Sequence, residues 1–310
     1  MGNGTTVQEF TLEGFPAVQH LGRLLFSLNL LAYLASIIGN VIIVSIVCTS
    51  ARLKSPMYFF LGVFSFGESC FTSAVIPKLL AIFLLGKQTI SFVACFIQSF
   101  VILFIGAFGF FLIAVMSVDR CVAICWPLHY STIMDLRTCI LLIIACLAVT
   151  FPLIMWLVVK VSRLSFCGPH DIPHFFCDVS PLIHLSCSDT SSAEALMFAL
   201  ALIILLSSLI ITTIAYSNIV VTIVRLPSAK ERQRAFSTCS SHLIVLSLMY
   251  GSCVFIYVKP KQASRLESNR EAALVNTVVT PLLNPVIYTL RNKQVHQALR
   301  EALCRMKISG

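Results

Sequence analysis

Residues 114–125 have the sequence AVMSVDRCVAIC, in which an Asp-Arg pair, Asp119 and Arg120, follows a long apolar run. The run before the pair, 92–118, contains almost no polar side chain and predicts a helix that spans a bilayer, for which about 20 apolar residues suffice. Both charges then lie at the membrane boundary. An arginine at a helix end can extend its charged head to the lipid headgroups without any further role, so the rest of the chain must support a functional interpretation.

The composition of the 310-residue chain is that of a membrane protein. Hydrophobic residues make up 58% and charged residues only 11%, whereas a soluble domain carries roughly 25% charged residues. We therefore expect the lipid bilayer to be its main surroundings, with no room for a soluble catalytic domain. The net charge of +9 comes from short basic groups next to apolar spans, as in membrane proteins. This distribution argues against a nucleic-acid partner.

Seven apolar segments follow one another along the chain without a linker or an internal repeat. They cover residues 24–49, 57–84, 92–118, 138–161, 194–224, 236–258 and 271–290. We predict an all-α protein, a seven-transmembrane-helix bundle over residues 24–290. An odd number of spans puts the termini on opposite sides, and more than half of the 22 Lys and Arg fall on the side of the C-terminus. By the positive-inside rule, the N-terminus is expected outside the cell.

The two ends of the chain differ in character. Residues 1–23 are polar and lack the basic start, short apolar core and cleavage site of a signal peptide, so we expect an uncleaved extracellular N-terminus. Asn3 begins an Asn-Gly-Thr glycosylation acceptor there. Residues 291–310 are the predicted cytoplasmic end, where VHQALREALCRM at 295–306 has the apolar spacing of a helix lying on the membrane surface. Cys304 within it is either a palmitoylation site or a free thiol.

The 13 cysteines divide by their expected location. Four of them fall at the outer end of the third span or in the following long loop, on the oxidising side where disulfides persist. They are Cys95, Cys167, Cys177 and Cys187. Four cysteines permit three pairings, and the sequence alone does not choose among them. The others lie within spans or near the inner face, where we expect reduced thiols.

Two motifs resemble those of a known class of receptor. The Asp-Arg pair and the stretch NPVIY at 284–288, in the third and seventh of seven spans, resemble a rhodopsin-like G-protein-coupled receptor. Further stretches are similar to the odorant receptor family in particular. They are PMYFFL at 56–61, MSVDRCVAICWPLHY at 116–130, HFFCD at 174–178, LSCSD at 185–189, RAFSTCSSHL at 234–243 and PLLNPVIYTLRN at 281–292. The similarity covers essentially the whole chain.

This resemblance implies a function. A receptor of this family binds a small-molecule odorant inside the helical bundle and activates a stimulatory olfactory heterotrimeric G protein, which raises cyclic AMP. It lies in the plasma membrane of sensory cilia, and it needs neither an enzymatic activity nor a cofactor. The resemblance also implies two disulfides, Cys95 with Cys177 and Cys167 with Cys187, which hold a lid over the extracellular mouth.

The resemblance further implies a signalling switch in the inner half of the bundle. Arg120 pairs with Asp119 at rest and meets the G-protein α subunit when released. A charged arginine at the edge of hydrocarbon is costly unless it is paired, so two arrangements can be close in energy and a ligand can shift their populations. His242 either controls the opening of the sixth helix or only hydrogen-bonds a neighbour. The other residues implied in the switch are Tyr216, Asn284, Pro285 and Tyr288.

The family alignment also implies a ligand pocket between the third, fifth, sixth and seventh helices. Its residues are Ser99, Leu103, Gly106, Ala107, Met197, Leu200, Ile204, Tyr250, Cys253, Val254, Tyr257 and Thr277. The set is mostly apolar, with a few hydroxyls and no charge, which favours a neutral, volatile-sized molecule held by burial. Packing between helices explains many of these residues equally well, so we expect about half to touch the ligand. The phenol of Tyr257 is the expected hydrogen-bonding group.

Other functional classes lack the residues that they require. An amine receptor carries an Asp where this chain has Ile102, and a visual pigment carries a retinal-binding Lys where it has Val278. A transporter is expected to show inverted repeats and charge at mid-membrane, but only Glu68 lies clearly within a span. An intramembrane enzyme needs a nucleophile with a base, or a metal motif on one helix, and the sequence has neither pattern.

Glu68 is a candidate for an ion site. It occupies the position where rhodopsin-like receptors usually keep an acid that holds sodium, and Asn40 and Asn284 are its expected neighbours. Gly109 stands where members of the family often carry Glu, so we expect sodium to bind weakly. The alternative is that Glu68 is a hydrogen-bonded packing residue, since a carboxylate in low dielectric must find partners or a proton.

Two cysteines near the motifs carry separate expectations. Cys121 replaces the tyrosine that commonly follows the Asp-Arg pair, and we expect this change to be tolerated. His174, Cys177 and Asp178 have residue types that bind metals, but a disulfide at Cys177 removes the thiolate that such a site needs. We therefore expect no metal site.

Overall fold

Seven long helices and a shorter C-terminal helix make up most of the computed structural model, which describes residues 7–167, 170–258, 265–291 and 293–308. In a bilayer each backbone polar group must be satisfied within the protein, and a helix does this by itself. The helices are α1 (Gly22–Thr49), α2 (Pro56–Leu85), α3 (Phe92–Cys125), α4 (Leu136–Ser162), α5 (Ser191–Arg225), α6 (Ala229–Val258), α7 (Arg265–Arg291) and α8 (Lys293–Ile308). This is the predicted all-α bundle.

Local signals explain where three of the helices begin. The Ser91 side chain caps α3 by accepting a hydrogen bond from the backbone N–H of Ala94 at 3.3 Å, and Asp135 caps α4 through the N–H of Thr138 at 2.7 Å. Such side-chain oxygens satisfy backbone donors that have no partner in the first helical turn. Pro56 stands at the first position of α2, where its fixed φ favours a helix and its missing N–H is not needed.

The observed helices extend beyond the predicted spans at several ends. Among the described residues, the stretches that form α1 to α5 each contain a window long and apolar enough to cross a membrane. In contrast, α6 begins at Ala229 rather than at 236, and α7 begins at Arg265 rather than at 271. Hydropathy detects only the part of a helix that lies in lipid, whereas AKERQR at 229–234 consists of good helix formers that carry the helix into water.

Helix α3 runs through the middle of the bundle and packs against α2, α4, α5 and α6. Its 34 residues span about 50 Å at the helical rise of 1.5 Å per residue. The outer surface of the bundle carries many exposed apolar side chains. On α1 and α5, for example, Leu31 is 66% exposed and Ile210 is 57% exposed. An outer surface of this kind must be covered by lipid rather than by water.

The contact between α1 and α7 depends on the prolines of α7. Because Pro285 has no N–H, the carbonyl of Pro281 loses the donor that an unbroken helix would supply four residues later. The side-chain amide of Asn40 donates a hydrogen bond to this carbonyl at 3.3 Å. The neighbouring Gly39 lets the two helices approach closely, since a Cβ there would lie 2.8 Å from the Cβ of Pro285.

A small sheet covers the end of the bundle at which α3 begins. Its strands are β1 (Glu9–Leu12), β2 (Gln88–Ser91) and β3 (Asp171–Ile172), in the order β2-β1-β3. Strand β1 is antiparallel to β2, with Phe10 opposite Ile90, and parallel to β3. We call these strands, together with residues 163–167 and 170–190 between α4 and α5, the lid. The lid therefore brings together parts of the N-terminal segment, of the α2–α3 connection and of the α4–α5 connection.

Strand β1 lies within residues 1–23, which the sequence predicts to be a polar N-terminal extension. Phe10 and Leu12 are fully buried, and the Phe10 ring packs edge-on against Phe166 with a centroid distance of 5.4 Å. The strand was missed because a single apolar-polar alternation over four residues is a weak signal, and its partners are far away in the chain.

Candidate functional site

The Asp119-Arg120 pair is buried at the C-terminal end of α3. Arg120 donates from Nε to Oδ2 of Asp119 at 3.1 Å, and its Nη2 bonds to the same oxygen. Asp119 is 1% exposed and Arg120 is 7% exposed. The guanidinium therefore does not extend to the headgroups in this state, and its charge is matched by a carboxylate, as burial in low dielectric requires.

Tyr130, which is not among the site residues predicted from the sequence, completes this cluster. Its hydroxyl donates a hydrogen bond to Oδ1 of Asp119 at 2.8 Å. Tyr130 begins the short helix Tyr130–Ile133, and a turn closed by the hydrogen bond from His129 N–H to Trp126 O brings it back towards α3. A signal was available, since Tyr130 ends the stretch at 116–130 that is similar to the odorant receptor family, but only the turn shows where its hydroxyl points.

A second polar contact joins α5 to α6 near the same end of the bundle. The hydroxyl of Tyr216 and the Nδ1 of His242 are 2.7 Å apart, and the two rings are stacked with centroids 5.9 Å apart. His242 is buried. Both residues are predicted members of the switch. A hydrogen bond between them fits either expected role of His242, control of the sixth helix or bonding to a neighbour, and the role of His242 stays a prediction. The side chain of Tyr288, another predicted member, lies outside the described residues.

The predicted pocket residues occupy α3, α5, α6 and α7 as expected, and part of the set is brought together. Ala107, Leu200 and Ile204 belong to one buried hydrophobic cluster, with Leu103 and Met197 packed against it. Ser99 is buried on α3. Gly106 borders open space, because a Cβ there would meet no atom within 4 Å. Tyr250 packs instead on a second cluster nearer the Asp119 end. The side chains of Cys253, Val254 and Tyr257 lie outside the described residues.

The hydroxyls of this set already have partners within the protein. Ser99 donates to the carbonyl of Cys177 at 2.7 Å, Tyr250 donates to Ser208 at 2.9 Å, and Thr277 donates to the carbonyl of Ala273 within α7. Each hydroxyl oxygen keeps the capacity to accept a further hydrogen bond. A ligand that meets these groups is therefore favoured when it offers a donor or an apolar surface.

The lid is fastened to α3 by covalent and polar contacts. The structure contains both disulfides that the family resemblance implies, Cys95–Cys177 and Cys167–Cys187. Gln98, which is not among the site residues predicted from the sequence, accepts a hydrogen bond from the N–H of Cys177 at 3.0 Å and donates to the carbonyl of Ala74 at 2.8 Å. It lies almost one helical turn after Cys95, so helical periodicity could have drawn attention to it.

Two aromatic contacts and one arginine hydrogen bond hold the N-terminal segment against the rest of the protein. The Phe15 ring lies between Phe83 and Phe175, with centroid distances of 5.7 and 5.4 Å. Arg270 of α7 is buried and donates a hydrogen bond to the carbonyl of Gly14 at 2.7 Å. Gly14 has a φ of +64°, a region that favours glycine, which explains why the chain can turn there.

Burial and charge set the protonation of two lid residues. Burial, together with the nearby charge of Arg270, lowers the pKa of His174 to about 3, so its imidazole is neutral. Burial raises the pKa of Asp178 in the same loop above its usual range. Cys177, which lies between them, is bonded to Cys95 and is not available as a thiolate. The disulfide removes the thiolate that a metal site at these three residues would need.

The three residues of the candidate ion site do not share hydrogen bonds in the described structure. The side-chain amide of Asn40 donates to the carbonyls of Ser36, at 2.9 Å, and Pro281. Within the described part of the chain, the Oδ1 of Asn40 and both amide atoms of Asn284 are buried without a hydrogen-bond partner. Glu68 is half-buried on α2. Whether these groups share a cation stays a prediction.

Comparisons with known proteins identify the family. A sequence model described as "Olfactory receptor" matches residues 29–306 of the chain. The chain is 48% identical over 308 residues to mouse Olfactory receptor 6E1, covering 99% of this chain and 98% of that protein. It is 46% identical over 298 residues to human Olfactory receptor 6F1, covering 96% of this chain and 97% of that protein.

The fold also has a solved counterpart. The crystal structure of squid rhodopsin superimposes with a TM-score of 0.73 at 16% sequence identity, covering 91% of this chain and 80% of that one. At this identity the likeness concerns the fold alone, a bundle of seven helices. The sequence matches cover nearly the whole chain, and the fold agrees with them. The chain therefore belongs to the olfactory receptor family, a family of membrane receptors and not of enzymes.

Proposed function

We propose that this receptor is activated by a small, neutral, mostly hydrophobic odorant bound within the helical bundle, and that it activates a stimulatory olfactory G protein and so raises cyclic AMP. The family supports a small-molecule ligand and a G-protein partner in general terms. The observation that carries the proposal is the buried Asp119-Arg120 pair held by Tyr130, at the opposite end of α3 from the lid. A ligand bound near the lid and a partner bound near the pair would act through the same helix.

The character of the ligand follows from the predicted pocket residues. None of them is charged, and five of those on α3 and α5 belong to or pack against one apolar cluster: Leu103, Ala107, Met197, Leu200 and Ile204. A charged ligand would lose its hydration there without a counter-ion, whereas a neutral one is stabilised by burial at roughly 25 cal/mol per Å² of apolar surface. Tyr257, Cys253 and Val254 complete the proposed set. Orientation would come from one or two hydrogen bonds to hydroxyl groups.

The proposed output depends on two contacts that the resting bundle makes. Asp119 holds Arg120 and also accepts a hydrogen bond from Tyr130, and the Tyr216–His242 contact holds α6 against α5. An agonist that binds more tightly to an arrangement without these contacts shifts the population towards it. Released Arg120 would then meet the G-protein α subunit, with Tyr216 and Tyr288 turning towards it.

The proposed membrane placement puts the lid outside the cell. Basic residues are more frequent at the end that carries α8, which favours a cytoplasmic C-terminus. Asn3 would then be available for glycosylation, and the two lid disulfides would face an oxidising compartment. Sensory cilia are the proposed location, by analogy with the family. Glu68, Asn40 and Asn284 are proposed as a weak sodium site.

The test is a cyclic AMP reporter assay over a chemically broad odorant panel, in cells that express the unmodified receptor or the Arg120→Ala variant at equal surface levels. We expect a neutral odorant to raise cyclic AMP through the unmodified receptor and not through the Arg120→Ala variant. Arg137→Ala is the matched control, since Arg137 is exposed at the start of α4, and it should respond normally. An Arg120→Ala receptor that signals fully would contradict the switch. A response to charged odorants alone would contradict the pocket chemistry.

A further inference from the structure

Two cysteine sulfurs are in contact at the C-terminal end of α3. The Sγ atoms of Cys121 and Cys125 are 3.8 Å apart, one helical turn from each other. Cys125 is half-buried, and its Sγ lies 3.1 Å from the hydroxyl of Thr222 on α5. Cys121 is buried. The Cys125 thiol is therefore partly exposed at the protein surface, and the buried Cys121 thiol is in contact with it.

The pair lies next to the residues that the proposed function uses. Cys121 directly follows Arg120 in the chain. It shares a buried cluster with Ala215 and Ile219 of α5 and with Cys239 of α6. A change in the backbone at Cys121 would therefore reach both the arginine and the contacts among α3, α5 and α6.

We propose that Cys121 and Cys125 are a redox modification site: a hydroperoxide converts the two thiols to a disulfide, and the disulfide lowers G-protein activation until it is reduced. An accessible thiol beside a second, resolving cysteine is the usual arrangement in redox-sensing proteins. The bond itself depends only on the thiol pair. Its regulatory effect rests on the proposed G-protein coupling at the Arg120 end of the bundle.

The chemistry proceeds in two balanced steps. The Cys125 thiolate attacks one peroxide oxygen, the O–O bond breaks, and a sulfenic acid forms while hydroxide leaves and takes up a proton to become water. The Cys121 thiol then attacks the sulfenic sulfur. An S–S bond forms, the S–O bond breaks, and a second water leaves with the proton of Cys121. Two thiols are oxidised by the loss of two hydrogen atoms, and one hydrogen peroxide is reduced to two waters.

Bond formation must deform the end of α3. Side chains four residues apart on a helix have Cβ atoms about 5–6 Å apart, whereas a disulfide needs a Cβ separation of about 3.5–4.5 Å. The turn from Cys121 to Cys125 must therefore tighten, and Cys125 moves away from Thr222. Because a strained disulfide is easily reduced, the modification is expected to be reversible.

The covalent part of the proposal is tested without an odorant or a G protein. Purified full-length receptor in lipid discs is treated with hydrogen peroxide, denatured, alkylated and digested with trypsin. Cleavage after Arg120 and Arg137 releases a peptide, residues 121–137, that contains both cysteines. We expect this peptide to lose two hydrogen atoms and to resist alkylation.

The next tryptic peptide, residues 138–160, is a built-in control. It carries Cys139 and Cys146, which are free cysteines two helical turns apart on α4, and it should remain alkylated at both thiols. A 121–137 peptide that stays fully alkylated, or that carries only separately oxidised cysteines, would overturn the disulfide.

The regulatory part is tested in inside-out membrane vesicles. The vesicles are treated with peroxide, the peroxide is destroyed with catalase, and purified stimulatory G protein is then added. We expect nucleotide exchange to fall roughly fivefold, near the lower end of coupling between two sites, and thioredoxin to restore it from the cytoplasmic face. Cys125→Ser and Cys121→Ala should both remove the effect. Cys48→Ser, which changes an exposed free cysteine on α1, should keep it.

The outcomes separate the two proposals. A disulfide that forms in the 121–137 peptide with unchanged nucleotide exchange would overturn the regulation and leave the receptor function intact. An untreated receptor that never stimulates nucleotide exchange would overturn the proposed coupling, and the regulation with it, while the peptide result would still decide the disulfide.

Discussion

The guanidinium of Arg270 donates a hydrogen bond from Nη1 to the backbone carbonyl of Gly14 at 2.7 Å, so the beginning of α7 holds the N-terminal segment. The two residues are 256 positions apart in the chain. Gly14 in turn donates its N–H to the carbonyl of His174 in the lid loop at 3.1 Å. A single glycine thus connects α7 to the loop that is disulfide-bonded to α3.

The first prediction is that Arg270→Ala destabilises the folded receptor. Removal of the guanidinium leaves the buried Gly14 carbonyl without its charged donor, and the loss of such a bond costs about 1.5–3 kcal/mol. Thermal unfolding of the purified receptor in lipid discs measures the effect. Lys87→Ala is the matched control, because Lys87 also contacts the N-terminal segment, through Glu13 at 3.5 Å, but is largely exposed. Equal stability of the two variants would show that the Gly14 bond contributes nothing.

The second prediction concerns acid sensitivity of the lid. The pKa of His174 is about 3 in the folded protein and about 6.5 in an unfolded chain. Between these values the unfolded state binds more protons, so the contribution of His174 to stability is lost as pH falls from about 6.5 towards 3. Asp178, whose pKa is raised by burial, acts in the opposite sense.

His174→Gln isolates the histidine from the acid. The variant should unfold at a temperature that changes less between pH 7 and pH 5 than that of the unmodified receptor. His184→Gln should retain the full pH dependence, since His184 is exposed on the helix Val179–His184. An unchanged pH dependence in His174→Gln would mean that another group dominates.

The third prediction is that His242→Phe raises basal signalling. The substitution removes the bond to Tyr216 that joins α5 and α6, and a net loss of about 1 kcal/mol changes the ratio of two states roughly fivefold. Basal cyclic AMP at matched surface expression is the measurement. Ser247→Ala, which removes only a bond within α6 to the carbonyl of Leu243, should leave the basal level unchanged. A fall in basal signalling would assign His242 to the active arrangement instead.

The fourth prediction tests the close approach of α1 and α7. Gly39→Ala places a Cβ against Pro285 at a distance that real Cβ atoms do not tolerate, and overpacking of this kind costs about 1–3 kcal/mol. Gly106→Ala is the control on α3, because its Cβ would meet no atom within 4 Å. The unfolding temperature should fall for Gly39→Ala and not for Gly106→Ala. Similar temperatures for both variants would show that α7 adjusts freely.

The membrane spans could be predicted from the sequence because a bilayer acts on each segment locally. A run of about 20 apolar residues satisfies the length requirement by itself, so the centres of α1 to α5 follow from hydropathy. The same argument does not show where the helices α6 and α7 begin, because a polar helical extension such as 229–234 leaves no hydropathy signal. The disulfide pairs were available only through the family resemblance, since four cysteines permit three pairings.

The candidate site was predicted unevenly for a related reason. Asp119 and Arg120 are adjacent in the chain, so their pairing needs no tertiary information. Tyr130 reaches Asp119 only because a turn reverses the chain after α3. Tyr216 and His242 were named as separate switch residues, and their mutual bond depends on how α5 packs against α6.

The sequence by itself determined the helical class, the number of spans and the positions of the motifs, since each of these depends on residues close together in the chain. Only the tertiary structure decided that β1 is the middle strand of the lid, that Arg270 reaches Gly14 and that Asn40 serves the carbonyl left free by Pro285. These contacts join residues that share no local pattern. Each forms because a buried polar group or strand edge must find a partner, and the fold determines which partner lies within reach.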